Sequence, residues 1–459
     1  MNLNFNYYNK DIIYNRSQEE DKIIEYILNN TPENYENIIE NDSTDEVILA
    51  LSTIRNNIVC AYDFNPNSNI LEIGAHLGEV TGALCQTAKK VVAIESVKRR
   101  AEAISKRCVD VENLEIIVGN LKDIPLEEKF DYITLFGILE YAQKFFNTEN
   151  PVQDLLFYCK KLLKDNGKIL IATNNKFALK SFVGDIDECT NNTFDSITGY
   201  RNSKKQFKLS KNEIENILKK VGLKYYKFLY PLPDYKLPNI IFSDDYLPTS
   251  SKINAYFPYY RDNSSIFFSE VDAYDTIINS DKNMFKFFAN SYLIEISQMD
   301  FANDIKYISF NNYRKKNYRL MTKIKTDYVE NIPTNSFSVE HIREMEKIIQ
   351  HMNNDGIKTL DKYEDKKVVS KFVNEKLLSQ KISDNLENID YIYNLLQKYK
   401  DEIYRLSYNY SEDEKNVFDK YSIKVEKKVL KKFRYLKHGY WDMIFKNCFL
   451  LNDEFVFFD

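Results

Sequence analysis

The sequence predicts an α/β fold whose central part is a doubly wound parallel sheet. The first observation is the stretch from Asn69 to Gln86, where a buried strand runs into a glycine-containing turn and then a helix. The second is an apolar run that ends on Glu95, at the tip of the next strand. The third is the alternation of strand and helix patterns that follows, which is typical of parallel sheets. We therefore expect a ligand to lie across the carboxyl ends of the strands, where strand order reverses.

The glycine spacing in the first turn limits the ligand class. A dinucleotide fingerprint starting at Gly74 needs glycine at positions 76 and 79, where the chain has His76 and Glu79. An acid followed by glycines at alternate positions is the pattern of S-adenosylmethionine sites. Three of its four residues are present here, namely Glu72, Gly74 and Gly78. A glycine turn can also simply close an ordinary strand–helix unit.

Length and composition narrow the function classes. A chain of 459 residues is too long for one ordinary core, so we expect two or three domains. The formal net charge of −5 and the lack of a basic stripe argue against a nucleic-acid partner. The N-terminus has no signal-peptide pattern, and no run of about 18 apolar residues occurs, so we expect a cytoplasmic protein without a membrane span. The six cysteines are scattered singly, so neither a disulfide framework nor a metal site is expected.

The remaining patterns predict three parts: an N-terminal helical cap over 1–60, the α/β domain over 61–298, and a C-terminal α+β domain over 299–459. In the cap, early acids and apolar residues at helical spacing predict a helix between Ser43 and Ala61. Further along, we expect a last strand over 290–297, a short antiparallel meander over 305–332, and helices over 339–353 and 384–400.

Several motifs occur in an order that resembles one protein family. They are NILEIGAHLGEVTGAL, VVAIESVKRRAEA, NLEIIVGNLKDI, FDYITLFGILEYA, ILIATNNKFALKSFVG and YPLPDYKLP. Over residues 10–298 the chain resembles class I S-adenosylmethionine-dependent methyltransferases. It looks most like a bacterial subgroup encoded with surface-glycan genes for O-antigen, capsule or flagellin glycan. The resemblance implies a Rossmann-like sheet of seven strands, with NSYLIEIS as an antiparallel last strand, and S-adenosylmethionine as the cofactor.

The resemblance also implies which residues bind the cofactor. The methionine and ribose would be bordered by Glu72, Gly74, Ala75 and Gly78, and the ribose hydroxyls would be met by Glu95 and Ser96. The adenine would be flanked by Asn120 and Leu121, and the methionine end would lie over Phe136 and Gly137. Two alternatives stay open: Glu95 could be a solvated acid at a strand end, and Asn120 a simple turn former.

One position departs from the family pattern. His76 stands where the family usually has glycine, so its side chain would project at or near the cofactor. Four outcomes are open: the turn is remodelled, the imidazole contacts the cofactor carboxylate, cofactor binding is impaired, or the side chain points to solvent. We count His76 among the cofactor-site residues.

Methyl transfer to a hydroxyl or an amine also needs a proton acceptor beyond the fourth and fifth strands. The candidates are Glu140, which follows the fourth strand, and Asp187 and Glu188, which lie in the loop beyond the fifth. In related sequences an acidic pair in this loop precedes His-Thr-Gly, whereas here the next residues are Cys189, Thr190 and Asn191. A histidine base is therefore not expected. Glu140 could equally be an acid that stabilises a helix N-terminus.

The C-terminal part carries a weaker resemblance. Asp442, Asn447 and Asp459 form a pattern that looks like the catalytic loop and metal-binding acid of protein-kinase-like and aminoglycoside-phosphotransferase-like folds. The residues between Asn447 and Asp459 fit a hairpin. A Gly-rich loop is missing, and the expected strand lysine near 328–332 is not evident. The alternatives are a truncated, degenerate kinase-like module that docks a partner or substrate, and a small α+β accessory domain with a chance match.

Together these patterns predict S-adenosylmethionine-dependent methyl transfer to a hydroxyl or amine of a bacterial cell-surface or flagellar glycan precursor or its decoration. The expected partner is a glycan or a glycan-linked small molecule. The C-terminal domain offers a route to a homo-oligomer or to a glycan-biosynthesis partner. Two alternatives stay open: a non-catalytic scaffold in a glycan-assembly complex, and a bifunctional methyltransferase–kinase.

Overall fold

The chain folds into two compact units, Met1–Asn312 and Tyr313–Asp459. The structure, a computed structural model, describes residues 1–10, 17–201, 207–254, 256–261, 263–409 and 422–458. Residues 1–60 belong to the first unit and do not form one of their own, and this unit extends past the predicted boundary at residue 298. Among the helices of these ranges, none has the length and apolarity needed to span a bilayer.

The first unit is built on one mixed sheet. In chain order its strands are β1 (Asn2–Tyr7), β2 (Asn69–Ile73), β3 (Lys90–Glu95), β4 (Leu114–Gly119), β5 (Phe130–Phe136), β6 (Leu163–Asn174), β7 (Tyr225–Leu232), β8 (Ile240–Ser243), β9 (Ser291–Ser297) and β10 (Tyr307–Phe310). Across the sheet they follow the order β1-β4-β3-β2-β5-β6-β9-β7-β8-β10. Neighbours from β1 to β6 are parallel. Strand β9 lies between β6 and β7 and is antiparallel to both.

The sheet contains the seven expected strands and extends beyond them. Strands β2 to β7 and β9 are those seven, and NSYLIEIS is the antiparallel strand β9, as predicted. A count of seven is too low for this unit, because β1 adds to one edge and β8 and β10 add to the other. Strand β1 also corrects the expectation of a helical cap over 1–60, since its backbone pairs with β4.

Helices cover the sheet of the first unit. They are α1 (Gln18–Asn29), α2 (Tyr35–Asn41), α3 (Asp45–Leu51), α4 (Asn57–Cys60), α5 (Thr81–Thr87), α6 (Lys98–Arg107), α7 (Ala142–Phe145), α8 (Pro151–Leu162), α9 (Leu179–Val183), α10 (Lys211–Val221), α11 (Ser250–Ile253), α12 (Glu270–Asp281) and α13 (Phe285–Phe288). Strands buried under helices on both faces read as continuous apolar runs, as in Val91, Val92 and Ile94 of β3.

The N-terminal helices pack directly on the glycine turn that follows β2. Ile27 of α1 and Val47 of α3 share a buried cluster with Leu77 of that turn. The guanidinium of Arg107, at the end of α6, donates to the backbone oxygen of Leu77 at 2.8 Å and to that of Ala50 at 2.5 Å. Apolar packing and these two charge-assisted hydrogen bonds hold the N-terminal helices against the turn.

The second unit is a smaller α+β structure. Its strands are β11 (Leu320–Ile324), β12 (Tyr328–Pro333), β13 (Asp361–Glu364), β14 (Lys367–Lys371), β15 (Ser407–Asn409), β16 (Arg434–Leu436), β17 (Cys448–Leu451) and β18 (Glu454–Phe457). Its helices are α14 (Val339–Asn354), α15 (Leu378–Ser383), α16 (Ile389–Arg405) and α17 (Lys427–Leu430). Strands β11, β12, β14 and β13 pair antiparallel in that order. Ile342 and Ile349 of α14 pack on Val368 of β14.

Several sequence expectations for the second unit agree with these elements. Helix α14 covers the helix predicted over 339–353, and α16 covers most of the one predicted over 384–400. The hairpin predicted near the end is formed by β17 and β18. The side-chain amide of Asn447 donates to the backbone oxygen of Asp442 at 3.3 Å. Asp459 lies outside the described residues, so the kinase-like resemblance stays a prediction.

Removing one helix cap should destabilise the first unit. The Ser210 hydroxyl accepts from the backbone N–H of Glu213, whose carboxylate accepts from the N–H of Ser210 at 2.8 Å, which together form a capping box on α10. We expect Ser210→Ala to lower the free energy of unfolding by about 1 kcal/mol, measured by urea denaturation. Ser105→Ala, inside α6, is the control and should change it by at most a few tenths of a kcal/mol. Equal effects would contradict the capping argument.

Candidate functional site

A cavity of about 430 Å³ opens at the carboxyl ends of β2, β3 and β5. Gly74 after β2, Glu95 at the end of β3 and Gly137 after β5 all line it. The chain runs from β2 outward to β3 and β4 on one side, and β5 and β6 lie on the other, so the cavity sits where strand order reverses. Its volume falls in the usual range of small-molecule sites. The location matches the one that the strand pattern predicts.

Two glycines shape the wall of the cavity. Gly74 has φ +75°, and a Cβ built on it would lie 2.2 Å from Cδ1 of Ile138. Gly137 has φ +70°, and its Cβ would lie 2.6 Å from the hydroxyl of Tyr235. Both positions combine a left-handed backbone with a close neighbour, so a larger residue would be strained at either one. The missing side chain of Gly137 is what lets Tyr235 reach the cavity.

The Glu95 carboxylate joins two turns at the base of the cavity. One oxygen accepts from the backbone N–H of His76 at 2.9 Å, and the other accepts from that of Val97 at 2.8 Å. Burial raises the pKa of Glu95, and the nearby Arg100 guanidinium and the two N–H groups counteract part of that rise. The side chain is buried and therefore is not a solvated strand-end acid. A carboxylate oxygen can accept a second hydrogen bond, so both retain capacity for a ligand hydroxyl.

His76 is held by its own turn. It adopts φ +52°, the left-handed region that glycine favours, although it is not glycine. Its Nδ1 lies 2.7 Å from a carboxylate oxygen of Glu79, and its side chain is 47% exposed. Burial alone would raise the pKa of Glu79, but the charges of His76, Arg55 and Arg107 hold it well below the ordinary value. The imidazole therefore lines the cavity with one nitrogen already committed to Glu79.

Glu72 is a buried acid with an unsatisfied atom. It is 4% exposed, and its Oε2 has no hydrogen-bond partner in the described part of the chain. Burial raises the pKa of Glu72 to about 8. At neutral pH this carboxyl is therefore mostly protonated, and it can donate a hydrogen bond as well as accept one.

Most of the residues expected at the cofactor line this cavity, and three do not. Those that line it are Glu72, Gly74, Ala75, His76, Glu95, Ser96, Phe136 and Gly137. Gly78, Asn120 and Leu121 lie outside its wall. A Cβ on Gly78 would lie 3.3 Å from Ile104 of α6, so this glycine admits close packing of that helix. Leu121 is completely buried, and the side-chain oxygen of Asn120 is buried without a described partner.

Glu140 has one carboxylate oxygen engaged and one without a partner. Its Oε1 accepts from the Thr173 hydroxyl and from the backbone N–H of Asn174, both at 3.0 Å. Its Oε2 has no hydrogen-bond partner among the described residues. Burial raises the pKa of Glu140, and its side chain lines the cavity. These contacts tie Glu140 to the end of β6.

The other two candidate bases are held by lysines. Asp187 accepts from the hydroxyl of Tyr200 at 3.0 Å and from the ammonium of Lys208 at 2.8 Å, and it does not line the cavity. Glu188 lines the cavity and forms an ion pair with Lys236. Burial alone would raise the pKa of Glu188, but Lys236 and Lys208 hold it well below its ordinary value. Glu188 is therefore not arranged as a strong proton acceptor near neutral pH, and Asp187 lies away from the cavity.

The cavity also contains residues that the sequence patterns do not single out. Tyr235 and Lys236 come from YPLPDYKLP, a motif that carries part of the resemblance but no assigned role. Arg55 comes from the N-terminal segment treated only as a cap. Helix α1 and the residue before it contribute Ser17, Glu19, Glu20 and Ile23. In the described ranges no group of three His, Cys, Asp or Glu side chains is arranged to hold a metal ion.

The comparison with protein families identifies the central segment. A family model described as "Methyltransferase domain" matches residues 71–171, which carry most of β2, all of β3 to β5 and most of β6. Residues 71–171 are a methyltransferase domain. Its cofactor is S-adenosylmethionine, and the domain type is that of S-adenosylmethionine-dependent methyltransferases.

Curated relatives match a short part of the chain. A probable ribosomal RNA small subunit methyltransferase A from Methanosarcina acetivorans is 38% identical over 76 residues, 17% of this chain and 28% of that protein. The protein of the same name from Methanosarcina mazei is 33% identical over 95 residues, which are 21% of this chain and 35% of that protein. The chain thus spans about a third of the length of these relatives.

Similar solved structures are distant. The N-methyltransferase NodS from Bradyrhizobium japonicum is 17% identical, with 27% of this chain and 67% of that chain covered and a TM-score of 0.24. Phosphoethanolamine N-methyltransferase 1 from Haemonchus contortus, in complex with phosphoethanolamine and S-adenosylhomocysteine, is 15% identical. Here 47% of this chain and 45% of that chain are covered, and the TM-score is 0.32.

The buried acid Glu72 should make stability depend on pH. Its pKa in the folded protein is about 8, above the value of an exposed glutamate, so the folded state keeps a proton that the unfolded chain releases. The contribution of Glu72 to stability is therefore largest at low pH and falls as pH rises from about 4.5 to about 8, by a few kcal/mol. We expect Glu72→Gln to reduce this fall, measured as free energies of unfolding at pH 5 and pH 8. The exposed control Glu112→Gln should leave it unchanged, and a parallel shift in both variants would contradict the assignment.

Proposed function

We propose that this protein transfers a methyl group from S-adenosylmethionine to a hydroxyl or amine acceptor bound in the cavity of its first unit. The observation that carries the proposal is the position of the cavity: it lies on the turn of a methyltransferase domain, at the carboxyl ends of β2, β3 and β5. The Glu95 carboxylate, the backbone around Gly74 and the wall at Gly137 fit the ribose and methionine parts of the cofactor.

The chain's own residues would position the acceptor and take its proton. When bound, the cofactor supplies an electrophilic methyl carbon on a sulfonium. Glu140 is the best-suited proton acceptor, because its raised pKa and partner-free Oε2 favour uptake of a proton. Glu188, paired with Lys236, would orient the acceptor, and Tyr235 would shield the reacting end from water.

For the acceptor, we propose a hydroxyl or amine of a cell-surface or flagellar glycan precursor or its decoration, in the cytoplasm. The ordered motifs from NILEIGAHLGEVTGAL to YPLPDYKLP support this, because they resemble the glycan-associated subgroup. The net charge of −5 and the eight glutamates that line the cavity disfavour an RNA acceptor. A scaffold in glycan assembly and a second, kinase-type activity are the competing proposals. The second unit is the proposed contact for a second copy of the chain or a glycan-biosynthesis partner.

Cofactor binding is the first test. Calorimetry with S-adenosylhomocysteine should show one site per chain, whereas NAD⁺ should give no heat because positions 76 and 79 lack the glycines of a dinucleotide turn. No binding of S-adenosylhomocysteine by the folded protein would overturn the methyltransferase proposal and favour the scaffold. Phosphorylation by ATP with Mg²⁺ would support a second activity, and its absence would remove that alternative.

The acceptor can be tested in cells. We expect glycans from a strain that lacks this gene to lose the mass of one methyl group relative to the parent, measured by mass spectrometry. The same material should accept labelled methyl from S-adenosylmethionine when the purified protein is added. If the glycans of both strains have the same mass, the proposal of a glycan acceptor is contradicted. The assignment of S-adenosylmethionine as the cofactor would still stand.

Replacing Glu140 should remove the proton acceptor without removing the cofactor site. With glycan from the deletion strain, we expect Glu140→Gln to lower kcat by about 10²- to 10⁴-fold, with little change in the Kd of S-adenosylhomocysteine. Because burial raises the pKa of Glu140, the wild-type rate should fall with decreasing pH in a range above the ordinary glutamate pKa. In the matched variant Glu188→Gln, the rate should still fall with decreasing pH as it does in the wild type. An unchanged pH profile in Glu140→Gln would exclude Glu140 as the base.

A further inference from the structure

Arg55 is the one cavity cation for which the described residues provide no partner. It lies in the short 3₁₀ turn Thr53–Asn56, before α4, and lines the cavity. Its Nε is buried without a hydrogen-bond partner, and its guanidinium forms no ion pair among the described residues. The other basic side chains of the cavity are engaged: Arg100 with Glu20, Lys236 with Glu188, His76 with Glu79, and Lys144 over the ring of Tyr141.

The charge of Arg55 lowers the pKa of two residues at one end of the cavity. It lowers the pKa of Glu79 in the glycine turn, after the effects of burial and of His76, and it opposes the rise that burial causes in the pKa of Tyr235. The Tyr235 hydroxyl lies against Gly137. The guanidinium is thus near both the glycine turn and Gly137, the end where the methionine part of the cofactor is expected.

Glu79, whose pKa the charge of Arg55 lowers, forms no ion pair with Arg55 among the described residues. Glu79 uses one carboxylate oxygen for Nδ1 of His76 at 2.7 Å and the other for the backbone N–H of Leu77 at 3.2 Å. A buried guanidinium N–H without a partner costs about 1–3 kcal/mol, which a bound anion would recover. The surrounding glutamates would repel an anion anywhere in the cavity that lacks a free cation.

We propose that Arg55 binds the carboxylate of the methionine part of S-adenosylmethionine and selects for ligands that carry it. This rests on the proposed function. The planar guanidinium can meet a carboxylate with two parallel hydrogen bonds, which a lysine cannot do. His76 is less suited to this role, because its Nδ1 lies 2.7 Å from Glu79 and only Nε2 remains for a ligand.

Through Arg55, the N-terminal segment has a binding role in addition to covering the sheet. The Ser52 hydroxyl accepts from the backbone N–H of Ile54 at 3.2 Å and caps the turn that carries Arg55. Just before it, the backbone oxygen of Ala50 is held by Arg107, which also holds Leu77 of the glycine turn. The backbone that carries Arg55 is therefore held close to the glycine turn by a short series of hydrogen bonds.

The test compares two ligands that differ by one carboxylate. S-Adenosylhomocysteine and its decarboxylated analogue, S-adenosyl-3-thiopropylamine, are titrated by calorimetry into wild type, Arg55→Gln and Arg55→Lys. We expect Arg55→Gln to weaken S-adenosylhomocysteine about 10- to 100-fold while the affinity of the analogue changes by less than about twofold. Arg55→Lys should lie between wild type and Arg55→Gln. The control Lys144→Gln removes another cavity cation and should not change the ratio of the two affinities.

The outcomes separate this inference from the proposed function. Wild type that binds neither ligand would overturn the proposed function, and the inference with it. Wild type that binds both, with Arg55→Gln weakening both equally, would assign Arg55 a structural role and overturn only the inference. An unchanged affinity for S-adenosylhomocysteine in Arg55→Gln would also overturn it, and would leave an anionic acceptor as the ligand of Arg55. Thermal unfolding of each variant shows that the comparison is made on folded protein.

Discussion

The buried carboxylate of Glu95 is the interaction on which the site depends. It accepts from the N–H of His76 in one turn and from that of Val97 in another, so a single side chain fixes the distance between the ends of β2 and β3. Removing this carboxylate from water is costly unless its oxygens are satisfied, and the two N–H groups and Arg100 provide that compensation. The same geometry allows His76 to occupy a backbone conformation that glycine favours, because its N–H is anchored.

The acids around the cavity differ in chemical character because their surroundings differ. Glu188 has a lysine partner and stays ionised, Glu140 has hydrogen bonds on one oxygen only, and Glu72 is buried with a free oxygen and carries a raised pKa. Glutamates of one cavity can thus act as an orienting ion pair, as a proton acceptor and as a neutral hydrogen-bonding group. The pKa differences, more than the number of acids, decide what the cavity can do.

Much of the fold could be predicted because its signals are local. The apolar runs of β2 and β3, the glycine at position 74 and the pattern of β9 are each readable within a few residues. The extra strands could not be predicted in the same way: β1 is short and polar, and it is a strand only because the edge of β4 is available to it. Gly78 shows a similar limit at the site, since its place in the motif suggests a ligand while its neighbour is Ile104 of α6.

By itself, the sequence determined that residues 71–171 form a methyltransferase domain, and that the ligand turn has an acid and glycines in the S-adenosylmethionine spacing. It could also exclude a dinucleotide turn, because the positions of glycines are a local property. Only the tertiary structure decided which acids are paired, which oxygen of Glu140 is free, and that Arg55 reaches the cavity. Those properties depend on burial and on partners distant in the chain, and no local pattern of residues encodes them.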